Sequence, residues 1–184
     1  MTSDARPDRT SRMSASRATV TRRIDAPVEV VFALLADVHA WPTWGPFARS
    51  GARHLDRPGV LPHPVRLGRH DLRVLVTSPD APYWLRYRLT SGPARVRHSA
   101  EVTLSPTAGG GTELRWQATM AHAVPGIARR RAAALAAEVT RLSARLASAA
   151  EDAATTRAEW ADRAGSATHL GRPVAARSVH ELAA

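Results

Sequence analysis

The chain contains no cysteine. That removes disulfides, thiolate zinc sites and thiol nucleophiles, whatever the compartment, and leaves any chemistry to His, Tyr, Arg or carboxylates. Lysine is absent too: all 26 basic residues are arginine. No apolar run approaches the roughly 20 residues that a bilayer span requires, so membrane insertion is not expected. Residues 1–17 carry Arg6, Arg9, Arg12 and Arg17 with no apolar segment, the pattern of neither a signal peptide nor an anchor; a soluble, cytoplasmic protein is the expectation. Metal-ligand spacing is missing as well. His63, His70, His98 and His122 fall on separate elements with no carboxylate joining them in a recognisable motif, and neither a metal nor any other cofactor is expected. Gly109-Gly110-Gly111 leads into a strand rather than a helix N-terminus, so it does not cradle phosphate. There is no serine nucleophile elbow.

The formal net charge is +10 and the pI about 11.6, figures that would ordinarily suggest a polyanionic partner. An exclusive use of arginine beside abundant alanine reads instead as the codon composition of a GC-rich genome. The arginines are scattered through strands and loops, and the tight clusters are Arg22-Arg23 and Arg129-Arg130-Arg131. A solvated surface is the plainer reading, and nucleic acid is not the expected partner.

A chain of 184 residues suits one domain with tails. Residues 1–17 lack the apolar content to offset ordering and read as a disordered tail. The domain is expected over 18–150, followed by a flexible or frayed helical tail over 151–184. Ala18 to Ile24 alternates as a strand does. Pro27 then opens a helix in which Val30, Val31, Leu34, Leu35 and Val38 recur at helical spacing, predicted to stop near Trp41-Pro42. Phe47 to Leu55 is a weak strand, Arg57-Pro58-Gly59 a turn, and Pro62 to Pro64 an edge or irregular connection. Four clear strand runs follow: His70 to Ser78, Tyr83 to Ser91, Arg95 to Ser105 and Thr112 to Met120. Their short connections are those of an antiparallel meander. After Pro125-Gly126 the period changes to that of a helix, with Ile127, Ala134, Leu135, Glu138, Val139, Leu142 and Leu146 along it over six or seven turns.

Strand alternation picks out the inward faces. Tyr83, Leu85, Tyr87 and Leu89 form the less charged set of their strand, Trp84, Arg86 and Arg88 facing solvent. His98, Ala100, Val102 and Leu104 do the same in the next, and Leu114, Trp116, Ala118 and Met120 in the last. These faces converge on an apolar lining with polar tips at Tyr87, His98 and the Trp116 indole, as in a small-molecule pocket. The candidate ligand-binding residues are therefore Trp41, Trp44, Tyr83, Leu85, Tyr87, His98, Ala100, Trp116, Ala118 and Met120, with Leu135 and Val139 from the helix. His98, the one inward group that titrates near neutral pH, is the candidate acid or base for an enolisable substrate, and Tyr87 the candidate donor to a carbonyl oxygen. The bland alternatives are a hydrogen-bonded core histidine and a Trp-Pro-x-Trp segment that caps the core rather than gating a cavity.

Ile24-Asp25-Ala26-Pro27, Val30-Val31-Phe32 leading to Ala36-Asp37-Val38, Trp41-Pro42-Thr43-Trp44, Leu104-Ser105-Pro106 and Gly110-Gly111-Thr112-Glu113-Leu114-Arg115-Trp116 occur in the order of a known family. Over about Ala18 to Ala150 the chain resembles the polyketide cyclase/dehydrase-like branch of the START/Bet v 1 (SRPBCC) superfamily. The resemblance implies an α+β helix-grip fold: a curved antiparallel β-sheet wrapped around a long C-terminal α-helix, short helices after the first strand, and a hydrophobic cavity between sheet and helix. It implies a lipid- or polyketide-like small molecule as partner. Fold alone does not separate a binding protein from a cyclase, aromatase or dehydratase using His98 and Tyr87, and an Arg-rich module for RNA or ribosomes is a third alternative. The short, proline-containing stretch Pro58 to Pro64 departs from the family pattern and bears on one cavity wall. Whether the protein is a monomer or a homodimer is left open.

Overall fold

Alternating apolar and polar side chains in β1 (Ser14–Ile24) turn Ala18 and Ile24 toward the core while Arg17, Thr19 and Thr21 face out. The computed structural model describes residues 14–49, 63–91, 96–122 and 127–169. After β1 come α1 (Val28–Ala36), a 3-10 turn (Val38–Ala40), α2 (Trp41–Trp44), β2 (Phe47–Arg49), β3 (His63–Leu67), β4 (His70–Asp80), β5 (Trp84–Ser91), β6 (Val96–Pro106), β7 (Thr112–His122) and α3 (Ile127–His169). The strands form one sheet in the order β1-β7-β6-β5-β4-β3-β2, antiparallel at every pairing. Strands β3 to β7 follow one another as the meander the turn residues predicted. The jump that sets β1 beside β7 brings the two ends of the domain together, and α3 lies against the face they share. This is the helix-grip arrangement, α+β in class.

Three boundaries differ from the sequence reading. Strand β1 begins at Ser14, four residues before Ala18, because β7 runs to His122 and pairs with it throughout, from Ser14 opposite His122 to Ile24 opposite Thr112. The first helix ends at Ala36 rather than near Trp41-Pro42. Asp37 is extended there, and its carboxylate accepts from the His39 N–H at 2.8 Å to start the 3-10 turn. Pro42 then sits in the first turn of α2, where a missing N–H breaks no helical bond. Helix α3 passes the expected boundary at Glu151 and ends at His169. At about 65 Å it outreaches the eleven-residue strands, which span about 36 Å. Residues Thr155 to Arg163 are all exposed; Arg157, Ala158, Glu159, Ala161 and Arg163 among them are good helix formers, with Arg163 paired to Glu159 at 3.5 Å and lying over the Trp160 ring. At the other edge, β3 takes in Pro64 next to the outermost strand β2, a place where a missing ladder donor is tolerated. Residues 50–55 of the expected second strand, and the Arg57-Pro58-Gly59, Gly92-Pro93 and Pro125-Gly126 turns, lie outside the described residues.

The core fills the space between the sheet and α3. Ile24, Leu85, Val102, Leu104, Leu114, Trp116 and Leu146 are essentially inaccessible. The register explains how this layer leaves room for more. One cross-strand row reads Ala18, Ala118, Ala100 and Tyr87 from β1 to β5; the next reads Val20, Trp116, Val102 and Leu85. Three successive alanines, all buried, make a trough beside the bulkier row. Polar ties hold the helix on the sheet: Arg22 Nε donates to Ser143 Oγ at 3.1 Å, and the Asp25 N–H donates to Glu151 Oε1 at 3.2 Å.

Candidate functional site

A cavity of about 270 Å³ lies between the sheet, the α2–β2 segment and α3. The sheet gives it Leu67, Leu72, Tyr87, Leu89, His98 and Met120; Trp41 and Phe47 close one end; and α3 supplies Arg131, Ala134, Leu135, Glu138, Val139 and Leu142. The walls are mostly aliphatic and aromatic, and the polar groups are few, which is the usual make-up of a small-molecule site. A larger hollow of about 360 Å³ lies on the sheet between β1, β7 and β6, among Arg17, Thr19, Ser99, Glu101, Gln117 and Thr119. Its walls are mainly solvent-side strand residues, and none of Tyr87, His98 or Trp116 borders it.

Tyr87 is the centre of an aromatic cluster. Its ring stacks on His98 with centroids 5.7 Å apart and meets the edges or faces of Trp41 at 5.5 Å and Trp116 at 6.1 Å, both near perpendicular. Burial pushes the Tyr87 pKa well above the ordinary tyrosine value, with the Trp116 indole acting weakly the other way. Tyr87 therefore stays a protonated donor. Burial also lowers the His98 pKa below the usual histidine value, which keeps the imidazole neutral at neutral pH. The Trp116 N–H has no hydrogen-bond partner among the described residues.

The two tryptophans of Trp41-Pro42-Thr43-Trp44 share one local task. Trp41 Nε1 donates to the Leu35 carbonyl at 3.0 Å and Trp44 Nε1 to the Leu34 carbonyl at 3.2 Å. Both satisfy carbonyls in the last turn of α1 that helical bonding leaves free. Trp41 in addition borders the cavity, whereas Trp44 is buried behind it against Phe47.

Of the residues singled out from the sequence, the cavity brings together Trp41, Tyr87, His98, Met120, Leu135 and Val139. Leu85, Ala100, Trp116 and Ala118 are buried on the same side of the sheet but form the packed layer beneath it. Tyr83 is not inward: it precedes β5 in a turn whose N–H bonds to the Asp80 carbonyl, and it is 44% exposed. The inward alternation starts only at Leu85, where regular pairing is established. Residues missed by the sequence reading fall into two groups. Arg131, Ala134, Glu138 and Leu142 lie at helical spacing around Leu135 and Val139, so the signal was present. The second group is from the sheet: Phe47 and Leu67 come from β2 and β3, whose pattern is too short and too broken by proline to set a face, while Leu72 and Leu89 lie in the clear strand runs of β4 and β5, where Leu89 shares the parity of Leu85 and Tyr87. Among the described residues no three His, Asp or Glu side chains gather as a metal would need, and no helix is long and apolar enough to cross a membrane.

Among solved structures the likeness is one of fold. The protein XoxI from Bacillus cereus is 13% identical, with a TM-score of 0.58 over 74% of this chain and 96% of its own. A START superfamily protein from Mycobacterium smegmatis is 19% identical, with a TM-score of 0.52 over 76% of this chain and 97% of its own. The di-domain ARO/CYC BexL is 21% identical, with a TM-score of 0.55 over 76% of this chain and 50% of its own, so this chain spans half of that protein. No curated protein matches the sequence. The family model for polyketide cyclase/dehydrase and lipid transport proteins matches residues 15–151, which takes in every strand from β1 to β7 and the part of α3 packed on them; the chain belongs to that family.

Proposed function

We propose that this protein binds a hydrophobic small molecule, lipid- or polyketide-like, between its sheet and α3. The observation that carries the reading is the cavity itself, with walls from Trp41, Phe47, Leu72, Leu89, Met120, Leu135 and Val139 and only a few polar groups. Apolar surface lining a concave space favours a ligand that removes it from water. The family, which includes lipid transport in its description, agrees with a carrier. Native mass spectrometry of the purified protein, with a denaturing extraction alongside, tests it. A defined apolar mass that travels with the folded chain is the expected result. No retained compound, together with no uptake of added apolar probes, would end the reading.

The stacked pair Tyr87 and His98 favours a second reading, a cyclase, aromatase or dehydratase. A neutral imidazole takes a proton from the carbon next to a carbonyl, the electron pair moves toward the carbonyl oxygen, and a protonated tyrosine hydrogen-bonds that oxygen as its charge grows. Structural likeness to BexL, a di-domain ARO/CYC protein, adds support. His98→Ala should abolish turnover of a poly-β-ketone substrate while the circular dichroism spectrum is kept; unchanged turnover removes the histidine from the chemistry.

A further inference from the structure

The binding reading leaves the ligand's chemistry open, and the polar groups of the cavity narrow it. We infer that the ligand is a small, neutral, flat compound of one or two rings whose carbonyl oxygen accepts a hydrogen bond from Tyr87, with Trp116 behind it as a positioning residue. The inference rests on the proposed binding function and says what the same site selects.

Size comes first. An apolar cavity of about 150 Å³ holds benzene, so about 270 Å³ accommodates roughly a dozen heavy atoms. A diacyl lipid is too large for that volume. Shape comes second. Trp41, Phe47 and Tyr87 present three rings to the space, surfaces that favour a planar partner.

Polarity decides the rest. Tyr87 lines the cavity and carries a hydroxyl, and beside it the Trp116 indole, 1% exposed, has a donor without an acceptor among the described residues. Buried donors are rarely left so. The two groups become mutually satisfied if the Tyr87 O–H turns to a ligand oxygen while its own oxygen accepts from the Trp116 N–H, a chain in which each bond strengthens the next. Such a chain ends in a donor and therefore asks for an acceptor. Among the described residues the sheet side of the cavity holds no cation to meet a carboxylate or phosphate. The charged lining residues described, Arg131 and Glu138, are on α3: Arg131 is exposed, and Glu138 is engaged with Arg141. A neutral carbonyl matches this wall, and an anionic head does not.

Isothermal titration with three probes of about thirteen heavy atoms each tests the assignment: 2-acetylnaphthalene, the isosteric hydrocarbon 2-isopropylnaphthalene, and 2-naphthoate. The ketone should bind about tenfold more tightly than the hydrocarbon, as one added hydrogen bond to a buried donor provides, and the carboxylate more weakly than either. In Tyr87→Phe the ratio of ketone to hydrocarbon affinity should fall to about one. Trp116→Phe should lower that ratio part of the way, a change that simple loss of packing, which weakens both probes alike, does not make. Hydrocarbon binding without a preference for the ketone overturns the inference and leaves the cavity reading standing, as does preferred binding of the naphthoate. Binding of none of the three overturns both.

Discussion

The Thr112 hydroxyl donates to the Ala26 carbonyl at 2.7 Å, across 86 residues of sequence and fully buried. Beside it Gly111 lies so close to β1 that a Cβ would meet the Ile24 carbonyl oxygen at 2.7 Å, and Gly110 takes a φ of +81° in the turn. The two sequence signatures Ile24-Asp25-Ala26-Pro27 and Gly110-Gly111-Thr112 are thus one structural joint. It locks the β6–β7 hairpin to the start of α1 and so fixes the end of the grip.

Thr112→Val keeps the shape and removes the donor, leaving the Ala26 carbonyl buried without it. A loss of about 1–3 kcal/mol is expected, measured by urea denaturation, with Thr112→Ser close to wild type.

Gly111→Ala drives a methyl group into backbone rather than into a yielding side chain. A loss of about 1–3 kcal/mol is expected from overpacking, whereas Gly109→Ala, which meets nothing within 4 Å, should change stability by less than about 0.5 kcal/mol. Thermal melts of the two variants side by side give the comparison.

Leu146 is wholly buried where α3 meets the sheet. Leu146→Ala should cost about 2–5 kcal/mol. Trp160, farther along the same helix, is 63% exposed, and Trp160→Ala should stay within about 0.5 kcal/mol. Equal losses at the two positions in denaturant melts would contradict the view that the last turns of α3 project beyond the domain.

His98 has a pKa lowered by burial from its ordinary value of 6.5. In the window between the native and the unfolded value, the unfolded chain binds a proton that the native protein does not. The contribution of His98 is therefore complete above the unfolded value and declines as the pH falls through it toward the native value. The midpoint of thermal unfolding should fall on acidification from about pH 7 to 5, and His98→Gln should flatten that dependence. A slope identical in the two proteins would show that other groups cause it.

Sequence patterns made much of this protein legible, and the reason lies in which interactions are local. Strand alternation placed Leu85, Tyr87, His98, Trp116 and Met120 on one side of the sheet, because a pleated strand has a period of two whatever its partners do. Helical spacing placed Leu135, Val139 and Leu142 on one stripe of α3 for the same kind of reason. Pairing was not local. Residues 14–17 carry little apolar content, and only the length of β7 opposite them draws them into the sheet; Tyr83 has the parity of an inward residue, yet the turn before β5 leaves it in solvent.

The sequence by itself determined the elements, the inward faces and the family, since propensity, periodicity and punctuation act over a few residues. Tertiary structure alone decided the size of the cavity and its company. Whether Trp116 is wall or floor depends on the alanine row beside it, and whether Phe47 and Leu72 line the cavity depends on the pairing of β2, β3 and β4. Each is a matter of distance between strands far apart in the chain, and such distances are set by the packing of the whole core.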